Sequence, residues 1–180
     1  MKNILITGGC GFLGARLAVK LLERFPECRI VLADIARHPR VETLLQDKRC
    51  VFQEAWINRP DVCAALLAAR PELVVHLASL VSGGAEKDFP AGLQANVYAT
   101  QHLLEACREA GHVPRFVFTS SIATYGGPNL PDEIDDFTFQ HPQNSYGVAK
   151  VIGELLLHDY TRKGYVDGRG IRLAAIVVRD

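Results

Sequence analysis

The stretch Asn3-Ile4-Leu5-Ile6-Thr7-Gly8-Gly9-Cys10-Gly11-Phe12-Leu13-Gly14 decides the fold. Residues 3–6 read as a buried strand, a short apolar run that ends at glycines. A helix is expected over residues 12–25, with Leu13, Leu17 and Leu21 at helical spacing and Pro26 as its stop. Between them, Gly8, Gly11 and Gly14 stand in the spacing G-x-x-G-x-x-G. The first glycine permits a tight turn, the second lets a pyrophosphate approach the backbone, and the third lets the helix pack closely on the strand. The helix N-terminus adds unpaired N–H groups and a partial positive charge. Gly8, Gly11, Phe12, Leu13 and Gly14 are therefore the expected phosphate-side contacts of a dinucleotide.

Outward from this loop the chain alternates short β-branched runs with longer helical ones. Further strands are expected at 29–34, 50–53, 73–77, 115–119 and 171–178, and helices at 61–69, 89–110 and 145–163. Strands alternating with helices imply right-handed crossovers. The fold class is α/β, a doubly wound parallel sheet, Rossmann-like, with residues 1–180 forming one domain. Asp34 closes the second strand, 20 residues past Gly14. A carboxylate there accepts hydrogen bonds from a ribose 2′-hydroxyl and repels a 2′-phosphate, which favours NAD over NADP.

Composition narrows the function classes. Lys+Arg and Asp+Glu are both 20, a balance that speaks against nucleic acid or a polybasic membrane contact as partner. No run approaches the roughly 20 apolar residues that span a bilayer. The start of the chain does not read as a signal peptide, so a cytoplasmic location is expected. Cys10, Cys28, Cys50, Cys63 and Cys107 lie 13 to 44 residues apart, without a C-x-x-C pair, and read as small buried thiols. The six histidines are equally scattered, and no metal site is expected.

Candidate chemistry lies further along. Tyr146-Gly147-Val148-Ala149-Lys150 puts a phenol and an ammonium at i and i+4, on one helix face. Upstream, Thr119-Ser120-Ser121 brings hydroxyls to the carboxyl end of the fifth strand, where ligands bind in such sheets. A tyrosine with a pKa near 10 acts as a base at neutral pH only if a neighbouring cation stabilises its phenolate. A serine hydroxyl can hold the substrate oxygen while a carbinol becomes a carbonyl.

Together these residues resemble the extended short-chain dehydrogenase/reductase superfamily, which includes nucleotide-sugar epimerases and dehydratases. Thr7 to Gly14, Asp34, His76-Leu77-Ala78, Asn96, Ser121 and Tyr146 to Lys150 carry the resemblance, which covers essentially the whole chain. It implies Ser121, Tyr146 and Lys150 as catalytic, with Asn96 supporting the lysine through a hydrogen-bond network. It also implies Ile57, Leu77, Ala78, Ser79, Tyr146 and Lys150 as further cofactor contacts. Residues 81–89, 118–123, 144–147 and 153–160 are similar to a subgroup that oxidises the C2 hydroxyl of a four-carbon sugar acid. That likeness makes Ser82, in a glycine-rich loop over the nicotinamide, a substrate contact beside Ser121 and Tyr146. A nucleotide-sugar 4-epimerase or dehydratase is the alternative activity, and a non-catalytic NAD-binding module the alternative from another class.

Two departures from the superfamily bear on function. Where members usually carry an aspartate that contacts the adenine amino group, this chain has Ala55-Trp56-Ile57. Trp56 accepts no hydrogen bond, so weaker adenine recognition is expected, with stacking on the base as its alternative contribution. Members also carry a substrate-binding region beyond the sixth strand, and the resemblance implies that this region is absent here. In relatives, helices matching 89–110 and 145–163 form a four-helix dimer interface. A homodimer is expected, with Leu93, Val97, Leu104, Ile152 and Leu156 fitting such a face.

Overall fold

Alternate residues of the apolar strand runs go to opposite sides of one sheet. Leu5, Val74, Phe116 and Phe118 enter one buried cluster, and Ile4, Ile6, Leu73 and Val75 enter the other. A strand buried on both faces requires helices on both faces, as parallel sheets provide. A computed structural model describes residues 2–176 and shows this architecture. Its strands are β1 (Asn3–Thr7), β2 (Arg29–Asp34), β3 (Cys50–Glu54), β4 (Leu73–His76), β5 (Arg115–Ser121) and β6 (Asp167–Leu173). They pair in the order β3-β2-β1-β4-β5-β6, and every pairing is parallel. The order reverses between β1 and β4, which opens a crevice at the carboxyl ends of those two strands.

Helix α1 (Phe12–Arg24) covers one face through Ala15, Ala18 and Leu22. On the other face lie α2 (Pro60–Ala68), α5 (Ala99–Glu109) and α6 (Ser145–Arg162), through Leu67, Leu103 and Leu157. The five cysteines are free and buried, and burial pushes the Cys50, Cys63 and Cys107 thiols up to about 12.

Three expectations need correction. Residues 81–89 are not an irregular loop: they hold a short helix, α3 (Ser82–Lys87), seated on buried Ala85. The helix expected over 89–110 is broken into α4 (Phe89–Leu93), a π-helical turn at Gln94–Tyr98, and α5. A π turn widens the helix by one residue and here re-aims Asn96. The sixth strand runs over Asp167–Leu173 rather than 171–178, residues 174–176 are not strand, and 177–178 lie outside the described residues. Gly168 sits within the strand because α6 crosses so closely. A Cβ there would lie 2.2 Å from Thr161 Oγ1 and 2.8 Å from Leu157 Cδ1.

Candidate active site

The glycine loop is built by exclusion of side chains. Gly8 takes φ +67°, and a Cβ on it would stand 2.7 Å from the Ala78 backbone nitrogen. A Cβ on Gly14 would meet the Gly8 carbonyl oxygen at 2.5 Å, so the first turn of α1 rests on the loop itself. Gly9 is equally constrained, with Leu32 Cα 2.8 Å from where its Cβ would be, although it falls outside the spacing of the motif. Gly11 caps α1 without any side-chain hydrogen bond, which leaves the end of the helix to face a ligand. Asp34 faces the same loop: its carboxylate accepts from the Cys10 N–H at 3.0 Å and from the Ile35 N–H at 2.8 Å. Those bonds fix the carboxylate and leave lone pairs for ribose hydroxyls.

From this loop a cleft of about 650 Å³ runs along the sheet edge. Gly8, Gly11, Asp34, Ile57, Leu77, Ala78 and Ser79, all among the expected cofactor contacts, line it together with Ile35, Trp56, Asn58 and Gln94. Phe12 is an exception among the expected contacts. Its ring lines a separate recess under the Arg16 guanidinium, 4.6 Å from the ring centroid, so only its backbone can serve a phosphate. A second cavity, of about 310 Å³, is lined by Leu13, Ser121, Tyr146 and Lys150. Leu77 and Ser79 line both, so the two halves meet at the end of β4.

The second cavity gathers the residues expected to react. Lys150 is only 3% exposed, and burial pushes its pKa down to about 8. Its Nζ lies 5.4 Å from the centroid of the Tyr146 ring and 5.0 Å from that of Phe118. Ser121 Oγ accepts from the Ala123 N–H at 3.1 Å, which leaves its own proton to donate. Gly147 brings the start of α6 against the Ser121–Ala123 turn, since a Cβ on it would stand 2.1 Å from the Ala123 carbonyl oxygen. Ser82 is exposed and lines neither cavity; its neighbour Val81 forms part of the wall.

Two polar networks hold these parts in register. Thr7 Oγ1 bonds His76 Nδ1 at 2.7 Å, and His76 Nε2 bonds Thr100 Oγ1 at 3.0 Å. Thr100 donates its only proton to the Asn96 carbonyl at 2.7 Å, so it must accept from His76 Nε2–H, and Nδ1 must accept from Thr7. Burial, aided by the Lys150 charge, pushes the His76 pKa down to about 3, and the ring is neutral. Asn96 then clamps the turn after β4, accepting from Leu80 N–H at 2.8 Å and Ser79 Oγ at 3.0 Å, and donating to the Leu80 carbonyl at 2.9 Å. Its side chain therefore positions the wall shared by the two cavities. In the second network Arg172 donates to Glu154 from Nε and Nη2, and Gln140 and Ser120 also donate to that carboxylate. Burial pushes Glu154 up, but these bonds outweigh it and hold the carboxyl below its usual range. Arg172 also bonds Tyr125, which ties the segment after Ser121 to β6. The sequence reading missed His76 as a positioning group and the Glu154–Arg172 pair. Glu154 lies four residues past Lys150, the one signal that could have pointed to it.

A glycine-cradled helix end, a fixed carboxylate at β2 and an adjoining cavity that gathers Ser121, Tyr146 and Lys150 mark a dinucleotide-binding domain. The chain matches the NAD dependent epimerase/dehydratase family over residues 4–177 and belongs to it. The residues present fit NAD, since the cradle would be filled by any Cβ and the carboxylate at Asp34 suits a free 2′-hydroxyl. The D-erythronate dehydrogenases of Cupriavidus necator and Haemophilus influenzae are 46% and 39% identical to it, and each match covers 98% of this chain. A nucleoside-diphosphate-sugar epimerase from Agrobacterium tumefaciens superposes with a TM-score of 0.88 at 37% identity, over 99% of this chain and 54% of that one. The chain spans about half the length of the curated relatives it matches, 56% for both dehydrogenases. Among the described residues no helix is long and apolar enough to cross a membrane.

Proposed function

We propose that this domain serves an NAD-dependent oxidation of the C2 hydroxyl of a short sugar acid, D-erythronate to 2-oxo-tetronate, in the cytoplasm. The observation that carries the reading is the convergence of Ser121, Tyr146 and Lys150 on one cavity that adjoins the cofactor cleft at Leu77 and Ser79. The two D-erythronate dehydrogenase relatives support the substrate class. NAD, when bound, supplies the hydride acceptor. The Tyr146 phenolate, held by the Lys150 charge, takes the hydroxyl proton and becomes the neutral phenol, while Ser121 donates a hydrogen bond to the substrate oxygen as it becomes a carbonyl. Ser82, on the exposed start of α3, is a further substrate contact in this reading. Asn96 acts as a positioning residue through the Ser79–Leu80 turn. In this reading residues 1–180 form the NAD-binding domain.

The test is NADH production from D-erythronate by Tyr146→Phe. We expect a loss of at least about a hundredfold in rate with NAD⁺ affinity kept; a fully active variant overturns the assignment. The epimerase named among the structural neighbours supports a second reading, a nucleotide-sugar 4-epimerase. That activity would interconvert nucleotide sugars with no net release of NADH, whereas the dehydrogenase releases it.

The homodimer reading rests on the two long helical segments. Leu104 does not fit the expected face, since it is fully buried in the core, and Leu93, Val97, Ile152 and Leu156 are half-buried. Val148 and Leu155, two turns apart on α6, Tyr98 on the π turn and Phe89 at the start of α4 are the large apolar groups left exposed on these helices. Leu155→Glu is expected to convert a dimer to a monomer in sedimentation analysis; a native chain that sediments as a monomer overturns the reading.

A further inference from the structure

The first turn of α6 carries Tyr146, and its backbone donors show what holds it in place. The opening N–H groups of a helix have no partner within the helix. Here the Asn144 side chain accepts from the Gly147 N–H at 2.7 Å, a cap supplied by the adjoining sequence. The Ser145 N–H finds its acceptor 59 residues away in the chain, donating to Glu86 Oε2 at 2.9 Å. Glu86 belongs to α3, and the partial positive charge at the start of α6 favours a carboxylate in that place.

The seat of α3 makes this bond more than a surface contact. Ala85 is buried, and a Cβ on Gly92 would stand 3.1 Å from the Ala85 Cα, so α3 rests tightly on α4. A Cβ on Gly84 would stand 2.8 Å from Leu80 Cδ1, and Leu80 is the residue that the Asn96 amide clamps. Through these contacts α3 is fixed to the exit of β4. On its other side the first turn of α6 is held to the exit of β5, where Gly147 leaves no room for a Cβ beside the Ala123 carbonyl. Ser79 and Val81, leading into α3, line the second cavity, and so does Tyr146. The Glu86–Ser145 bond therefore joins two walls of that cavity, next to Tyr146 in the chain.

We infer that Glu86 is a positioning residue: its carboxylate holds the first turn of α6 to α3 and so sets the gap between Tyr146 and the Val81 wall, which a substrate must fit. This role deepens the proposed reading of Ser121, Tyr146 and Lys150, and rests on it. Glu86 lines neither cavity, so it acts through the turn it holds. The hydrogen bond carries the effect rather than the charge, because an amide oxygen in the same place also accepts from the Ser145 N–H. A small shift of a reacting group is costly: a misplacement of about 1 Å can lower a rate about a hundredfold.

The experiment compares the native 180-residue chain with Glu86→Ala and Glu86→Gln. Amide hydrogen exchange at Ser145 reads the hydrogen bond, and NADH production from D-erythronate reads its consequence. Glu86 is exposed, so both variants keep the core intact. Glu86→Ala should speed exchange of the Ser145 N–H by at least about tenfold. It should also lower kcat by at least about tenfold, with NAD⁺ affinity within about threefold of the native chain. Glu86→Gln, whose side-chain oxygen still accepts, should return exchange and kcat to within about threefold of native. A native kcat in Glu86→Ala, unchanged Ser145 exchange, or an equal loss in both variants overturns the positioning role and leaves the Tyr146 reading standing. A native chain that makes no NADH overturns both.

Discussion

Lys150 should lower the stability of the domain it serves, and Lys150→Met tests this. Burial alone brings its pKa from 10.5 to about 8, so the folded chain holds the ammonium less well than the unfolded chain does. At 1.36 kcal/mol for each pKa unit, that fall corresponds to a penalty of about 3 kcal/mol. Attraction to the Phe118 and Tyr146 rings is lost with the charge and is worth about 1–2 kcal/mol in a desolvated site. The expected net gain for Lys150→Met at pH 7 is therefore about 1–2 kcal/mol, a rise in Tm of roughly 2–8 °C for a chain of this size. The sign with pH follows from the depressed value. The penalty is full below about pH 8, where both states are protonated, and fades between 8 and 10.5, where only the unfolded state still holds the proton. Urea denaturation of both chains without cofactor, at several pH values from 6 to 10.5, measures the difference. A variant less stable than the native chain at pH 7, or a gain that persists undiminished at pH 10.5, would refute the burial of a costly charge at this site.

Further outcomes follow from the same packing. His76→Leu leaves the Thr7 and Thr100 hydroxyls without their ring partner and should cost about 2–4 kcal/mol by urea denaturation. Because the folded His76 pKa is depressed to about 3, the native chain loses this contribution as pH falls from 6.5 toward 3, so the gap between the two chains should narrow at acid pH. Gly9→Ala places a methyl 2.8 Å from Leu32 Cα and should cost about 1–3 kcal/mol while weakening NAD⁺ binding in calorimetry. Unchanged stability in that variant would mean that the loop relaxes without disturbing β2.

The parts of the fold legible in the chain were those carried by local pattern. Apolar strand runs, the proline after α1, and a glycine triplet between strand and helix each act over a few residues. They determined the sheet type, the phosphate loop, Asp34 at the end of β2, and the Tyr146–Lys150 pair on one helix face. Other glycines owe their place to distant residues. Gly168 belongs to β6 because Thr161 and Leu157 press against it, and Gly9 is fixed by Leu32 on the neighbouring strand.

What tertiary structure alone decided is which polar groups meet. His76 lies 69 residues from Thr7 and 24 from Thr100, and only the adjacency of β1, β4 and α5 turns them into a directed chain of hydrogen bonds. The π turn that aims Asn96 at Leu80 leaves no mark in an apolar pattern that reads equally well as one long helix. Likewise Trp56 reads as the loss of an adenine contact, whereas the folded chain sets it in the cleft wall with Asn58 two residues beyond. Local sequence fixes backbone preference because it acts through nearest neighbours; the charge state of Lys150, the tautomer of His76 and the polarity of the cleft come from groups that are neighbours only after the sheet has assembled.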